Sequence, residues 1–177
     1  MSAIDHIEAR TPFPREHRTL GWHPARELPH VRKDFRHAVE RAWLTAVHFS
    51  DIKQKDWPYK NFRPSEFACK GTGLRIMTDE AQASRGALQQ FRTYTERPVA
   101  LRSSCRTPRH NKAEGGGKAS QHLLGVAHDI ALHPDEDPKV LETILREFGF
   151  TGIGRYAKRL FIHVDTRKRP TTWGKWS

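Results

Sequence analysis

The chain has 177 residues, a net charge of +11 and a hydrophobic fraction of 36%. This length allows one domain with a core of its own, or a compact domain of about 120 residues with an appended segment. The sequence contains no apolar stretch near the roughly 18 residues of a membrane span, and its beginning, Met1–Glu8, lacks the basic and then apolar pattern of a secretory signal. We therefore expect a protein without a membrane span that is made in the cytoplasm.

The positive charge predicts a polyanionic partner. Nucleic acid and the bacterial cell wall are both polyanions, and both attract a basic protein. The basic residues are spread along the chain, and aromatic residues do not alternate with them as they would on a surface that stacks single-stranded bases. The sequence therefore favours the anionic cell wall over nucleic acid as the partner.

The two cysteines, Cys69 and Cys105, form no CxxC motif and lie far apart in the sequence. A structural zinc site built from cysteines is therefore not indicated. We expect two free, partly buried thiols, with a disulfide as the alternative.

Residues 1–56 are predicted to be an arm followed by one amphipathic helix. The arm is punctuated by Pro12, Pro14, Pro24 and Pro29. The helical pattern places apolar residues at three- and four-residue steps between charged ones. These apolar residues are Phe35, Val39, Ala42, Trp43, Ala46 and Val47. We expect this stripe to dock on the rest of the chain; a partner or assembly surface is the alternative.

The remaining residues, 57–177, have the pattern of a compact α+β domain. Thr78 begins a helix that Pro98 stops, and a buried strand follows at 99–101. The stretch 102–119 is rich in Ser, Arg, Gly and Lys, and it is predicted to be a loop.

A second helix of this domain is predicted from its end signals. Asp137 is its cap, Pro138 occupies its first position, and Gly149 lies at its end. Its inner face is predicted to carry Val140, Leu141, Ile144, Leu145 and Phe148.

Two short strands are expected on either side of this helix. Residues 125–132 are mostly apolar and β-like, and a final strand is predicted at about 159–165 after a turn through Gly152 and Gly154. Polar residues at the ends of these strands would be held in place by a rigid sheet.

Three residues have the pattern of a mononuclear zinc site. His122 and Asp129 stand seven residues apart, and His163 lies in the final apolar run. Two imidazoles and one carboxylate leave one position of a tetrahedral zinc ion open, as in a catalytic site. Strand alternation turns the neighbouring His128 away from that face. The pattern predicts a zinc hydrolase.

The run from Ser120 to Asp129 follows the segment Ser104–Asn111, SCRTPRHN, and the pair Gly115-Gly116. Together with FRPSEF at 62–67, these ordered pieces resemble the zinc D-alanyl-D-alanine carboxypeptidase family of peptidoglycan peptidases, part of the hedgehog/lysostaphin-type metallopeptidase group. The resemblance extends to Trp173 and leaves the first 56 residues outside. It implies a small antiparallel sheet flanked by helices with a zinc cleft, next to an N-terminal helical arm.

The resemblance also implies roles for particular residues. The positions of the family's three zinc ligands are occupied by His122, Asp129 and His163. Arg106 matches an arginine that contacts the substrate carbonyl or carboxylate, where its guanidinium would stabilise a developing oxyanion. Ser120 and Asn111 match positions that line the cleft or hold its loop.

One position departs from the family's pattern. Many relatives carry a glutamate or aspartate three residues before the last zinc histidine as the general base, and here that residue is Leu160. We favour Asp165 as the substitute, because residues two apart on a strand share a face, which puts Asp165 beside His163. Alternatively, Asp165 accepts a hydrogen bond from an imidazole and fixes its orientation. The sequence leaves both roles open.

These features predict a zinc-dependent peptidase that hydrolyses amide bonds in peptidoglycan stem or cross-link peptides, as a carboxypeptidase or an endopeptidase. A small basic enzyme fits a phage or prophage lytic protein, or a virion-associated one, that acts at the bacterial cell wall. Residues 1–56 would then bind the wall or virion proteins. The alternatives are a non-catalytic zinc-fold protein of a virion or cell wall, and a nucleic-acid-binding protein with an incidental metal.

Overall fold

A computed structural model describes residues 27–176 of the chain. Three prolines of the predicted N-terminal arm, Pro12, Pro14 and Pro24, lie outside these residues. Within the described range, no helix combines the length and the apolar character needed to cross a membrane.

Helices and strands of the described residues form an α+β fold, as the sequence predicts. The helices are α1 (Lys33–Trp43), α2 (Asp79–Thr95), α3 (Pro108–Ala113) and α4 (Pro138–Glu147). The strands are β1 (Val47–His48), β2 (Leu74–Arg75), β3 (Leu101–Ser103), β4 (Ala127–Ala131), β5 (Gly152–Tyr156), β6 (Phe161–Asp165) and β7 (Thr171–Lys175). Short 3-10 turns join several of them, including one at Gln121–Leu124.

The main sheet has five strands in the order β3-β4-β6-β5-β7. Its first four strands are antiparallel, and β7 joins the far edge parallel to β5. Strands β1 and β2 form a separate antiparallel ribbon. In the centre of the main sheet, Asp129 of β4 and Gly154 of β5 both pair with His163 of β6.

The two faces of the central strands differ because side chains alternate along a strand. One face carries Ile130, Ile153, Ile162 and Val164, which are buried in a core with helices α2 and α4. The opposite face carries Asp129, His163 and Asp165. The sheet therefore shields one side with apolar packing and presents its polar residues on the other.

Helix α1 packs against the domain, as predicted for its apolar stripe, but it ends at Trp43, so Ala46 lies beyond it and Val47 belongs to β1. Val39 and Trp43 are fully buried in a second core with Leu123 and Val126. The indole Nε1 of Trp43 donates a hydrogen bond to the backbone carbonyl of Leu123 at 3.1 Å. Helix α1 thus supports the 3-10 turn that carries His122. The proposed division of the chain at residue 56 stays a prediction.

The end signals of both predicted long helices are confirmed. Thr78 Oγ1 accepts a hydrogen bond from the Ala81 amide at 3.2 Å, and an Asp137 carboxylate oxygen accepts one from the Lys139 amide at 2.8 Å. One predicted inner-face residue of α4 was wrong: Val140 is 55% exposed. The core-facing side of α4 runs through Leu141 and Leu145, and Val140 lies about 100° around the helix from Leu141.

The prediction of a continuous loop at 102–119 was wrong. Strand β3 begins two residues later than predicted and continues to Ser103, and helix α3 starts at Pro108. Thr107 caps this helix, since its Oγ1 accepts a hydrogen bond from the His110 amide at 3.3 Å. A threonine followed by proline is a helix-start signal that the glycine- and charge-rich composition concealed.

The predicted turn through Gly152 and Gly154 was also wrong, because both residues lie within strand β5. A Cβ atom on Gly152 would collide with the carboxylate of Asp165, and one on Gly154 would lie 2.6 Å from the Trp173 ring. These glycines therefore make room for side chains from the neighbouring strands.

Both cysteines are free thiols, as expected, and both are fully buried. Burial raises the pKa of the Cys105 thiol to about 12, so this thiol is protonated at neutral pH.

Candidate metal centre

His122 is held by the 3-10 turn at Gln121–Leu124 and is buried. Its Nδ1 lies against the backbone carbonyl of Ser104. A carbonyl oxygen only accepts hydrogen bonds, so Nδ1 carries the proton and Nε2 keeps a lone pair. The sequence turns immediately afterwards at Gly125, whose φ of 71° suits glycine, and enters β4.

Asp129 and His163 are direct cross-strand partners on β4 and β6. Asp129 Oδ1 lies 2.9 Å from His163 Nδ1 and 3.2 Å from His122 Nε2. The three residues each offer one ligand atom, and these atoms all lie within 4.8 Å of one another. The structure thus brings together the three residues that the sequence predicts as metal ligands.

The protonation states of His122 and Asp129 suit a divalent ion. Burial lowers the pKa of His122, which favours the neutral imidazole. Burial tends to raise the pKa of Asp129, but its hydrogen bonds to His122 and His163 outweigh burial and hold the pKa far below the usual range. A neutral imidazole and an ionised carboxylate are the forms that bind metal. Two nitrogen donors and one oxygen donor, all buried, therefore fit zinc.

The orientation of His163 is set by Asp165. Asp165 Oδ2 lies 2.9 Å from His163 Nε2, while Nδ1 of the same ring faces Asp129. Asp165 is 0% exposed, and it also accepts hydrogen bonds from the Nε and the backbone amide of Arg167 at 2.7 and 3.0 Å. The carboxylate thus lies behind the imidazole and outside the lining of the cleft.

Arg106 contacts the cluster through Asp129. Its guanidinium donates one hydrogen bond to Asp129 Oδ2 and, through Nε, another to Ser103 Oγ at 2.7 Å. Arg106 also lines the cleft above the cluster. The guanidinium is therefore fixed in position beside the candidate metal ligands.

Ser120 and Asn111 are placed differently. Ser120 lines the cleft, whereas Asn111 is buried and its Nδ2 donates to the Gly117 carbonyl at 3.0 Å. A Cβ atom on Gly116 would collide with the Asn111 side chain. Asn111 thus holds the glycine loop that forms one wall of the cleft.

His128 points to the opposite face of β4, as strand alternation predicts. Its Nε2 and Nδ1 lie 3.0 Å from Ser84 Oγ and Ser104 Oγ. Burial lowers its pKa to about 3, so the ring is neutral at physiological pH. Since Ser104 also contacts His122 through its backbone, His128 belongs to the support of the candidate metal centre.

The cluster lies in a cleft of about 910 Å³. Its basic lining residues are Lys70, Arg102, Arg106, Arg159 and Arg167, and its acidic ones are Glu114 and Asp129. Aromatic walls come from Tyr156, Phe161 and Trp173. The Trp173 ring lies 5.2 Å from the His163 ring, measured between centroids. The cleft is thus predominantly basic and partly aromatic.

Several of these cleft residues were not identified from the sequence. Arg102, Tyr156 and Arg159 stand far apart along the chain and belong to no motif. Trp173 belongs to the last strand, and its half-buried ring also lines the cleft. Side chains alternate between the two faces along β7, but this shows which face Trp173 lies on only once the order of the strands in the sheet is known.

The family model described as peptidase M15 matches residues 60–165. This span is more than half of the chain and contains every candidate metal ligand, together with Arg106. A search of curated proteins found no match. The resemblance that the motifs indicate is confirmed, and the chain belongs to the peptidase M15 family of metallopeptidases.

Proposed function

We propose that this protein is a zinc-dependent peptidase that hydrolyses amide bonds in peptidoglycan stem or cross-link peptides. The observation that carries the proposal is the buried cluster of His122, Asp129 and His163 in the cleft of a peptidase M15 chain. Nε2 of His122, Oδ1 of Asp129 and Nδ1 of His163 would hold the zinc ion. When bound, zinc supplies Lewis acidity, which polarises a carbonyl group and acidifies water.

Arg106 is the residue to which we assign stabilisation of the oxyanion. Its hydrogen bonds to Asp129 and Ser103 hold the guanidinium in one position before substrate arrives. A fixed donor needs no reorganisation during the reaction, and removal of one such donor typically lowers kcat by about 10²–10³-fold.

We assign Asp165 a positioning role. Its carboxylate is buried and occupied by His163 and Arg167. Since it does not line the cleft, it is placed to orient the His163 ring and not to exchange a proton with substrate. Among the described residues that line the cleft, Glu114 is the one carboxylate outside the cluster, and we propose it as the proton acceptor.

The charge of the cleft supports an anionic peptide as substrate. Arg106 and Arg167 are paired with aspartates, but Arg102 and Arg159 have no carboxylate partner within the described part of the chain. Both guanidiniums lie within 6 Å of the Phe161 ring, at 5.6 and 5.1 Å. One terminal nitrogen of Arg102 donates to the Arg159 backbone carbonyl. The other donors of both guanidiniums are available for a carboxylate of a stem peptide, whether the enzyme acts as a carboxypeptidase or as an endopeptidase.

A phage or prophage lytic enzyme, or a virion-associated one, is the setting that we propose, with the bacterial wall as the site of action. The net charge of +11 would favour adsorption to an anionic wall. The apolar stripe of α1 is covered by the domain, so a wall- or virion-binding role of residues 1–56 would fall on the polar face of α1 or on residues before it.

A non-catalytic zinc-fold binding protein is the second candidate. It is favoured by Leu160, which stands where many relatives are expected to carry an acidic base. Leu160 is 64% exposed and has a φ of 52°, so no carboxylate enters the cleft from this position. The other alternative, a nucleic-acid-binding protein, would be supported by salt-sensitive binding to DNA together with a lack of peptide hydrolysis.

The deciding experiment measures the release of amino groups from purified peptidoglycan sacculi. The zinc-loaded protein is compared with His122→Ala and with a chelator-treated sample. Release by the zinc-loaded protein alone supports a zinc peptidase, and mass spectrometry of the fragments then identifies the bond. If none of the samples releases amino groups while the protein binds one zinc ion per chain, the non-catalytic alternative holds.

A further inference from the structure

A second cavity, of about 420 Å³, lies between the segment 51–59 and the start of helix α2. It shares no lining residue with the metal cleft. Two arginines, Arg75 of β2 and Arg85 of α2, line it together with Trp57 and Tyr59.

Arg75 is 1% exposed, and its guanidinium lies 4.2 Å above the centre of the Trp57 ring. Its Nε and one terminal nitrogen have no hydrogen-bond acceptor among the described residues. The cation–π contact fixes the plane of the guanidinium but leaves these donors unused.

Arg85 is 0% exposed and is also incompletely satisfied. One terminal nitrogen donates to the Ile76 carbonyl, and the other lies 3.8 Å from the Met77 sulfur. Its Nε has no acceptor in the described part of the chain.

No described carboxylate forms an ion pair with either arginine, in contrast to Arg106, Arg155 and Arg167, each of which has one. Burying a charge without a partner is unfavourable by several kcal/mol, and two like charges add repulsion. Burial and the nearby Arg85 lower the pKa of Arg75 to about 9, which still leaves it charged at neutral pH. The pair therefore lacks a negative charge.

We propose that this cavity is a binding site for a small oxyanion, a carboxylate or a phosphate group, with Arg75 and Arg85 as its ligands. Guanidinium donors match the oxygens of both groups in geometry. Lys53 at the rim adds positive charge. Tyr59 forms part of the cavity wall. Its hydroxyl already donates a hydrogen bond to the Gln82 carbonyl at 2.8 Å and is therefore not a donor to the anion.

The rim also carries two carboxylates, those of Asp51 and Asp56. Both residues are exposed, and neither is paired with the arginines. Either carboxylate could bind the arginines in place of an added anion. The experiment therefore has to separate binding of an added anion from closure of the cavity by one of these side chains.

The test is thermal unfolding of the full chain in phosphate, in acetate and in chloride at constant ionic strength. We expect Tm to rise saturably with one of the two oxyanions and not with chloride, by roughly 5–10 °C at 100 times the Kd. The anion that raises Tm shows whether the site binds a phosphate group or a carboxylate. Arg75→Met, which keeps the length of the side chain over Trp57, should abolish the rise. The exposed Arg109→Met should retain it.

Equal Tm values in all three salts would overturn the proposal. So would a loss of stability in Asp51→Asn or Asp56→Asn that matches the loss in Arg75→Met, because an internal carboxylate would then be the partner. If Arg75→Met does not fold, equilibrium dialysis of the wild-type protein with inorganic phosphate and with acetate decides directly. The site is independent of peptide hydrolysis, so a protein without peptidase activity can still support it.

Discussion

His163 stands between two carboxylates, with its Nδ1 2.9 Å from Asp129 and its Nε2 2.9 Å from Asp165. Burial alone would lower the pKa of His163, but these two hydrogen bonds raise it above its ordinary value. The ring is thus oriented on one side by a buried aspartate and on the other faces the candidate metal ligands.

Asp165→Asn should weaken zinc binding by about 10–100-fold, because the oriented and polarised imidazole is lost. The measurement is a competitive zinc titration with a chromophoric chelator. Glu114→Gln is the matched variant, and it should leave zinc affinity unchanged while lowering kcat. An Asp165→Asn protein that binds zinc normally but no longer hydrolyses peptide would contradict the positioning role and restore Asp165 as the general base.

Gly152→Ala should destabilise the fold by about 1–3 kcal/mol, because its Cβ would displace the Asp165 carboxylate. Zinc affinity should fall along with stability. Gly86→Ala in helix α2, which meets no atom within 4 Å, should instead stabilise by about 0.5–1 kcal/mol. Urea unfolding measures both. Equal stabilities of wild type and Gly152→Ala would show that the Asp165 carboxylate can move without loss.

His128 predicts a dependence of stability on pH. Its pKa is about 3 in the folded chain, below the ordinary value of 6.5, so its contribution is present above pH 6.5 and is lost as the pH falls toward 3. The loss is at most about 1.4 kcal/mol for each pH unit in this range. His128→Gln, which keeps a neutral side chain between Ser84 and Ser104, should show a shallower decline. The free energy of unfolding of both proteins is measured with urea from pH 7 to pH 4. If it falls equally in wild type and in His128→Gln, His128 makes no such contribution.

Trp43→Ala should destabilise the chain by about 3–5 kcal/mol, because a fully buried indole and its hydrogen bond to Leu123 are removed. Zinc affinity should also decrease, since α1 supports the turn that carries His122. Leu44→Ala, at an exposed position of the same segment, serves as the control and should change stability by less than about 0.5 kcal/mol. Unchanged zinc binding in Trp43→Ala would separate α1 from the metal centre.

Arg159→Gln should raise KM for a peptide with a free carboxylate by roughly two- to fivefold, the range of one exposed ion pair, and leave kcat nearly unchanged. For the matching amidated peptide, KM should not change. Arg109→Gln, outside the cleft, is the charge-matched control. Equal effects of Arg159→Gln on both peptides would exclude recognition of the carboxylate.

Features that depend on neighbours along the chain could be predicted before the fold was known. The caps at Thr78 and Asp137 rest on local hydrogen bonds, and the amphipathic stripe of α1 rests on the helical period. Local signals of this kind are readable because a few consecutive residues supply the whole interaction.

Features that depend on strand register and packing became visible only in the folded chain. The pairing of Gly152 with Asp165 across β5 and β6, and of Gly154 with Trp173 across β5 and β7, turned an apparent glycine turn into a strand. The same packing buried the Asp165 carboxylate and brought Arg75 of β2 close to Arg85 of α2. Such contacts join residues that the chain keeps apart, and a shift of one residue in register would turn every side chain to the opposite face.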